Sequence, residues 1–292
     1  MSNDYPSKVK PYIFHGIRLK HSDKECSGEC VFCGREGKFS VNASTGQFKC
    51  WSCDEAGNVY SFIRKFHELC VETMTPQDYR EMVENRGLLD SQSLIEWELC
   101  KSVTTGRWLV PGYNPQRQLV SLYQRFKQED GGYRLTPTST LGHHIHGMNL
   151  WDSSKPLVYI CEGPWDALVL WECLTRAKNT EEGVRATASR TSSLYSQCNV
   201  IAVPGAGIFF EGWLQLFEDR VVNIMFDSDH PRKNRVGKPL DGAGVRGVKR
   251  IAEMFANSRY KPQEVNCLMW GEEGYDLTRK SGFDVRDYLL SA

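Results

Sequence analysis

Four cysteines and four carboxylates have the types and spacings that do chemistry. Cys30 and Cys33 form one CxxC, Cys50 and Cys53 form another, and sixteen residues separate the pairs. A CxxC turn brings two thiolates to one side of a tight loop, and two such knuckles complete a tetrahedral zinc site. Four thiolates leave no open coordination position, so this zinc is structural. Cys26 could replace Cys30, since CxxxC is tolerated. The carboxylates are Glu162 and Asp166, after the apolar run Leu157 to Ile160, and Asp227 and Asp229, after Val221 to Phe226. Residues two apart in extended chain face the same side, so Asp227 and Asp229 point together. Paired carboxylates without a nearby base suit Mg²⁺ or Mn²⁺. Ions held this way can bind phosphate oxygens, assist an attacking hydroxyl and stabilise a leaving pyrophosphate. A lone DxD reads more often as a solvated turn, but this one does not stand alone.

Those side chains need elements to hold them. Lys38 to Val41 and Gln47 to Cys50 read as short strands joined by the turn-rich Asn42 to Gly46, a small β hairpin around the cysteines. Asn58 to Cys70 follows as an amphipathic helix; Thr75 caps another, with Pro76 first and Gly87 ending it, and a third spans about Ser91 to Leu99. The strand Leu157 to Ile160, a glycine turn and the helical Ala167 to Leu174 form half of a βαβ unit. Val200 to Val203 and Val221 to Phe226 are further strands. Acids just beyond the carboxyl ends of two strands lie where open α/β sheets bind ligands. Gly242-Ala243-Gly244 opens a later helix, after an insertion from His230 to Leu240 that includes Arg232, Lys233, Arg235 and Lys238. The insertion is either a basic flap over nucleic acid or triphosphate, or a solvated loop.

The 292 residues suffice for two domains, with apolar and charged fractions of 40% and 25% that suit a soluble globular protein. No apolar run approaches the roughly 18 to 20 residues needed to span a bilayer, and no secretory signal opens the chain. The eleven cysteines are an odd number, and those after position 60 sit singly among apolar neighbours. Both points fit reduced thiols in a cytoplasmic setting. Net charge is zero, yet it is blocked: residues 101 to 150 carry six basic against two acidic side chains, and 231 to 261 carry nine against two. Residues 68 to 100 carry two against eight, and 151 to 230 six against eleven. Such basic blocks fit either a polyanion partner or a solvated surface.

Phe32, Arg35, Lys38, Phe39, Phe48, Lys49 and Trp51 mix aromatic and cationic groups around the cysteines, a surface on which single-stranded bases stack. Phe39 and Phe48 read as this module's core, which leaves Lys49 and Trp51 as its binding residues. His143, His144 and His146 have no partner motif and read as non-ligands.

Glu162-Gly163-Pro164-Trp165-Asp166-Ala167-Leu168, Asp227-Ser228-Asp229 and Gly242-Ala243-Gly244 together resemble the Toprim signature. With the four-cysteine ribbon upstream, the order is similar to that of the bacterial and bacteriophage DnaG-type DNA primases over about residues 28 to 290. The resemblance implies an α/β fold: a small β zinc-ribbon domain at 1–68, a helical linker at 69–100, a basic α+β subdomain at 101–152 and a Toprim-type catalytic subdomain at 153–292. It implies catalytic roles for Glu162, Asp166, Asp227 and Asp229. Magnesium would be held by Glu162, Asp227, Asp229, Asp284 and Asp287, the last two within Phe283 to Leu289. The stretches Trp108 to Pro111 and Leu119 to Arg125 are similar to the basic half of the primase core. Arg107, Arg125 and Arg134 join Lys49, Trp51 and the four insertion cations as candidate contacts to nucleic acid or NTP. The implied activity is synthesis of short RNA primers on single-stranded DNA from ribonucleoside triphosphates, beside a separate helicase. Two departures stand out. Relatives pass almost directly from the DxD to the glycine helix start, and they often continue into a helicase or helicase-binding domain. A Toprim nuclease would turn the same acids on water, although the basic block at 101 to 150 argues against it; a non-catalytic DNA-binding replication protein would keep the shape without turnover. A topoisomerase would need a large strand-passage domain for which the chain has no room.

Overall fold

The computed structural model describes residues 5–88, 90–129, 131–176, 197–233, 235–268 and 282–291. The chain divides into two compact units, residues 1–85 with 94–144, and residues 86–93 with 145–292.

The first unit holds two antiparallel sheets. One is a meander of β1 (Leu19–Lys20), β2 (Glu25–Gly28), β3 (Phe39–Asn42), β4 (Phe48–Cys50) and β5 (Ala56–Gly57), preceded by the short helix α1 (Lys10–Phe14). Its core is aromatic: Phe39 and Phe48 stack at 5.4 Å, and both are buried with Tyr12 and Phe62. So little chain cannot bury enough surface on its own, and the metal knuckles and a helix supply the rest. That helix is α2 (Val59–Glu72), capped by Asn58, whose side chain accepts from the Tyr60 and Ser61 amides. Its Phe62, Ile63 and Phe66 are fully buried. In α3 (Pro76–Arg86), Thr75 and Asp78 cap reciprocally, the Asp78 amide donating to Thr75 Oγ1 and the Thr75 amide to Asp78 Oδ2. The sequence extends the next helix to Leu99, but α4 spans only Gln92–Glu96. Glu98 adopts a left-handed backbone (φ 55°), which turns the chain into β6 (Cys100–Lys101). The second sheet runs β6, β7 (Trp108–Tyr113), β8 (Leu119–Lys127), β9 (Tyr133–Thr136). Beneath it His15 is wholly buried, its ring between Thr138 Oγ1 at 2.9 Å and Gln124 Nε2 at 3.3 Å.

The second unit is built on a parallel sheet, in the order β11 (Cys198–Ala202), β10 (Leu157–Cys161), β12 (Val221–Met225), β15 (Glu264–Cys267). Central parallel strands are covered on both faces, and β10 reads accordingly as a continuous apolar run, Leu157 to Cys161, whereas the edge strand β15 carries Glu264 and Asn266 and has no fully buried residue. After β10 comes α5 (Pro164–Arg176), and before β15 comes α6 (Ala243–Asn257). Between β12 and α6 the insertion forms an antiparallel ribbon, β13 (Arg232–Lys233) and β14 (Pro239–Leu240). The last element is α7 (Val285–Ser291). No helix among the described residues is long and apolar enough to cross a membrane.

Candidate functional site

The cysteine site assembles from two similar turns. The Gly34 amide returns to the Cys30 carbonyl at 2.8 Å, with Gly34 left-handed (φ 69°). In the second knuckle that left-handed position falls on Asp54 (φ 59°), directly after Cys53. The sulfurs of Cys30 and Cys53 lie 3.9 Å apart, and those of Cys33 and Cys50 lie 3.7 Å apart. Zn–S bonds of about 2.3 Å in tetrahedral geometry place sulfurs about 3.8 Å apart, so the four thiolates fit zinc. All four sulfurs lie within 4.8 Å of one another. Cys26 stands outside that group, buried, with its sulfur 3.4 Å from the Ser22 carbonyl oxygen.

The carboxylates gather at the carboxyl edge of the parallel sheet. Glu162 follows β10, and Asp166 sits in the first turn of α5. Asp227 and Asp229 follow β12, and the Asp227 amide donates to Glu162 Oε2 at 3.3 Å. Across the gap the α6 terminus closes in, the Gly244 amide donating to Asp229 Oδ2 at 3.2 Å. Gly244 has no room for a side chain: a Cβ there would lie 2.0 Å from the Asp227 carbonyl oxygen and 3.1 Å from Glu162 Oε2. One on Gly242 would lie 2.1 Å from the Asp229 carbonyl oxygen. The two glycines are thus required because helix and strand backbones touch. Asp284 arrives by a link invisible to sequence patterns. Ser228 and Phe283 form an isolated antiparallel bridge, with the Ser228 amide 2.8 Å from the Phe283 carbonyl and the Gly282 amide 3.2 Å from that of Ser228. Asp284 then caps α7, accepting from the Asp287 amide at 2.8 Å.

Crowding of partly buried negative charge raises proton affinity here. Burial, with the Asp229 charge, pushes Glu162 up to about 7. Burial, then the charges of Asp284 and Glu162, lift Asp166 to about 7, against the pull of Arg86. Asp227 rises to about 9, from burial and then Glu162, Asp166, Asp284 and Asp229. Asp284 is raised too, chiefly by burial. The Asp227–Glu162 hydrogen bond, the close approach of Gly244 to Asp227, Glu162 and Asp229, and the Ser228–Phe283 bridge bring Glu162, Asp227, Asp229 and Asp284 to one end of the sheet. Asp166 stands one helical turn after Glu162, and Asp287 is hydrogen-bonded to Asp284. Their hard oxygen donors suit Mg²⁺ or Mn²⁺. Among the described residues only the cysteines bring three or more ligand atoms within 4.8 Å. Magnesium usually takes one or two carboxylates and keeps several waters, so it does not require three protein ligand atoms in one tight group.

The candidate nucleic-acid contacts divide. Trp51 is 63% exposed with Lys49 Nζ 4.2 Å from its ring centre, unlike the buried Phe39 and Phe48. On the second sheet, Phe126 pairs across strands with Arg134, and Arg107 lies over the Phe126 ring at 4.5 Å, so both arginines share its face. Arg125 projects to the opposite face and stacks on Tyr133 at 3.5 Å. One surface therefore cannot use all three. Arg232, Lys233, Arg235 and Lys238 are all exposed on the insertion ribbon.

Residues 6–82 match the CHC2 zinc finger family model. The label of that family names one histidine among three cysteines, whereas this chain has cysteine at all four positions. No curated protein sequence matches the chain. Among solved structures, the DnaG catalytic core aligns with a TM-score of 0.51 at 12% identity, covering 80% of this chain and 75% of that one. The zinc-binding and RNA polymerase domains of the Aquifex aeolicus primase give 0.44 at 16% identity, over 97% and 80%. The primase fragment of the bacteriophage T7 primase-helicase protein gives 0.44 at 14%, over 94% and 96%. The class is a mixed α/β core behind a zinc ribbon. More particularly, residues 6–82 match the CHC2 zinc finger model, and the fold is similar to that of the DnaG catalytic core.

Proposed function

We propose that the chain is a DNA primase, making short RNA primers on single-stranded DNA from ribonucleoside triphosphates. The observation that carries this reading is the convergence of Glu162, Asp227 and Asp229 at the carboxyl edge of the parallel sheet, behind a CHC2 zinc finger. In this reading residues 1–68 inspect the template, 69–100 connect, 101–152 bind nucleic acid and 153–292 carry the chemistry.

Glu162, Asp227 and Asp229, with Asp284 and Asp287 behind them, would hold Mg²⁺ or Mn²⁺. Such an ion, when bound, offsets charge at the α-phosphate and pyrophosphate and makes the 3′ hydroxyl a better nucleophile. The chain's own part is positioning. The Asp227 amide orients the Glu162 carboxylate, and the Gly244 amide orients Asp229. The Ser228–Phe283 bridge keeps Asp284 beside them. Asp166 adds negative charge at the α5 end, restrained by Arg86. Trp51 and Lys49 offer an exposed stacking platform for template bases. The T7 protein is a primase-helicase, and a helicase is the partner we assign to this chain.

The test is incubation with single-stranded DNA of mixed sequence, labelled ribonucleotides and Mg²⁺ or Mn²⁺, followed by gel analysis. New short RNA supports the assignment. Shortened DNA would make the chain a nuclease, and neither product would make it a binding protein.

A further inference from the structure

Arg250 is an exposed residue in the middle of α6, yet both arms of its guanidinium are committed. One donates to the Gly207 carbonyl at 2.5 Å and the other to the Phe209 carbonyl at 3.0 Å. Both carbonyls belong to the loop of residues 203–209 that follows β11. That loop reaches the acids, because the Ala206 amide donates to the Glu162 carboxylate, as the Asp227 amide does.

Ala206 stands between Gly205 and Gly207. Glycine leaves the backbone its widest choice of conformations, so an amide flanked by two of them needs holding from outside. Helix α6 supplies the hold along one line of residues three apart, which share a face. Gly244 lets the helix touch the Asp227 carbonyl, and Gly247 does the same at Ala206, where a Cβ would lie 2.5 Å from the carbonyl oxygen. Arg250 is the next residue in that line, and it takes the Gly207 and Phe209 carbonyls. The far end of the loop has its own anchor, the buried Phe209 ring at 5.8 Å from both Phe217 and Phe255. The clamp therefore acts on the stretch between, which carries Ala206. A planar guanidinium that takes two carbonyls at once sets orientation as well as position. Gly207 and Arg250 are both exposed, so water can take over at the Gly207 carbonyl and satisfy it, but water does not fix the loop.

We propose that Arg250 is a positioning residue for the acidic site: by clamping the Gly207 and Phe209 carbonyls it keeps the Ala206 amide on the Glu162 carboxylate, and so keeps Glu162 aimed at the divalent ion. This rests on the reading of Glu162 as a ligand of that ion.

The test is Mn²⁺ binding to the zinc-loaded chain without nucleotide, read from the paramagnetic resonance of the free ion, in the parent, R250M, E162Q and R250M/E162Q. Charge alone predicts that removing a cation near the acids tightens Mn²⁺ binding. Positioning predicts the opposite sign. Loss of groups that orient metal ligands weakens binding by about 10- to 100-fold, and with the Asp227 amide still on Glu162 the lower figure, about tenfold, is expected for R250M. Asp227 and Asp229 remain in E162Q to bind the ion, and there the same change should cost less than about twofold, since the carboxylate through which Arg250 acts is gone. Melting of R250M should fall by no more than about 4 °C, as for a surface substitution. Unchanged or tighter Mn²⁺ binding by R250M would overturn the assignment, and so would equal losses in the two backgrounds, the mark of general damage to the fold. A parent that binds no Mn²⁺ would end the metal reading and this one together. Primer synthesis on the same preparations separates the two proposals. A chain that makes primers while R250M binds Mn²⁺ like the parent loses the Arg250 assignment alone. One that makes none, while Arg250 and Glu162 remain coupled, keeps that assignment and loses the primase reading.

Discussion

Gly244→Ala separates two arguments that predict opposite signs. Gly244 lies in the first turn of α6, and replacing a helical glycine by alanine ordinarily stabilises by about 1 kcal/mol. Here the new methyl would sit 2.0 Å from the Asp227 carbonyl oxygen, about 1.3 Å inside the ~3.3 Å of a close C···O contact. The opposing atom is backbone at the end of a central strand, so relief requires moving helix or strand. Overpacking of this kind costs up to about 3 kcal/mol. The net expectation is about 2 kcal/mol of destabilisation, or a melting temperature lower by about 4–8 °C for a unit of this size. The same movement would shift the Gly244 amide from Asp229 and the Asp227 backbone from Glu162. A misplacement of about 1 Å at reacting groups costs about a hundredfold in rate. Melting and primer synthesis measured on the same preparation test both halves. A variant as stable as the parent, or more so, with full activity would show that backbone contact does not set the geometry of the acids.

Asp227→Asn should lower synthesis by at least about a hundredfold, as loss of a charge-stabilising group does, while leaving DNA binding largely intact; equal activity would remove Asp227 from the metal site. The same variant has a pH signature. Folding raises the Asp227 carboxyl from 3.8 to about 9, so its contribution to stability is whole below about pH 4 and is lost as pH rises through 9. Melting without divalent ions should therefore fall more steeply from pH 5 to pH 9 in the parent than in the variant, and parallel curves would contradict the shift. Cys33→Ser should abolish the single zinc equivalent and unfold the ribbon, whereas Cys26→Ser should keep it; metal content and the visible spectrum of the cobalt form report both. Trp51→Ala should weaken single-stranded DNA binding by about 1–3 kcal/mol, read by anisotropy, and unchanged affinity would remove the platform.

Local patterns were legible in the sequence where the chemistry is local. Two CxxC turns carry their geometry with them, and the S···S distances of 3.7 and 3.9 Å follow from it. The acids after Ile160 and Phe226 were legible because apolar runs mark strand ends. What needed the third dimension was less so. Phe283 and Ser228 are fifty-five residues apart, and nothing in either announces a main-chain bridge. The glycines of Gly242-Ala243-Gly244 marked a helix start, but only the packed strand end explains why both lack a side chain. Arg107, Arg125 and Arg134 read as one basic block, since charge counting ignores strand register, and register puts Arg125 on the other face. The insertion read as flap or loop because two-residue strands fall below any periodic signal.

The stitch between Ser228 and Phe283 has a consequence for biosynthesis. Two main-chain hydrogen bonds join the edge of the central strand to a segment near position 283. During translation the earlier acids emerge first, and with Asp284 still inside the ribosome they have neither their neighbour nor the backbone tie. Nascent chains that stall before this point would therefore lack both Asp284 and the tie that holds it beside Ser228.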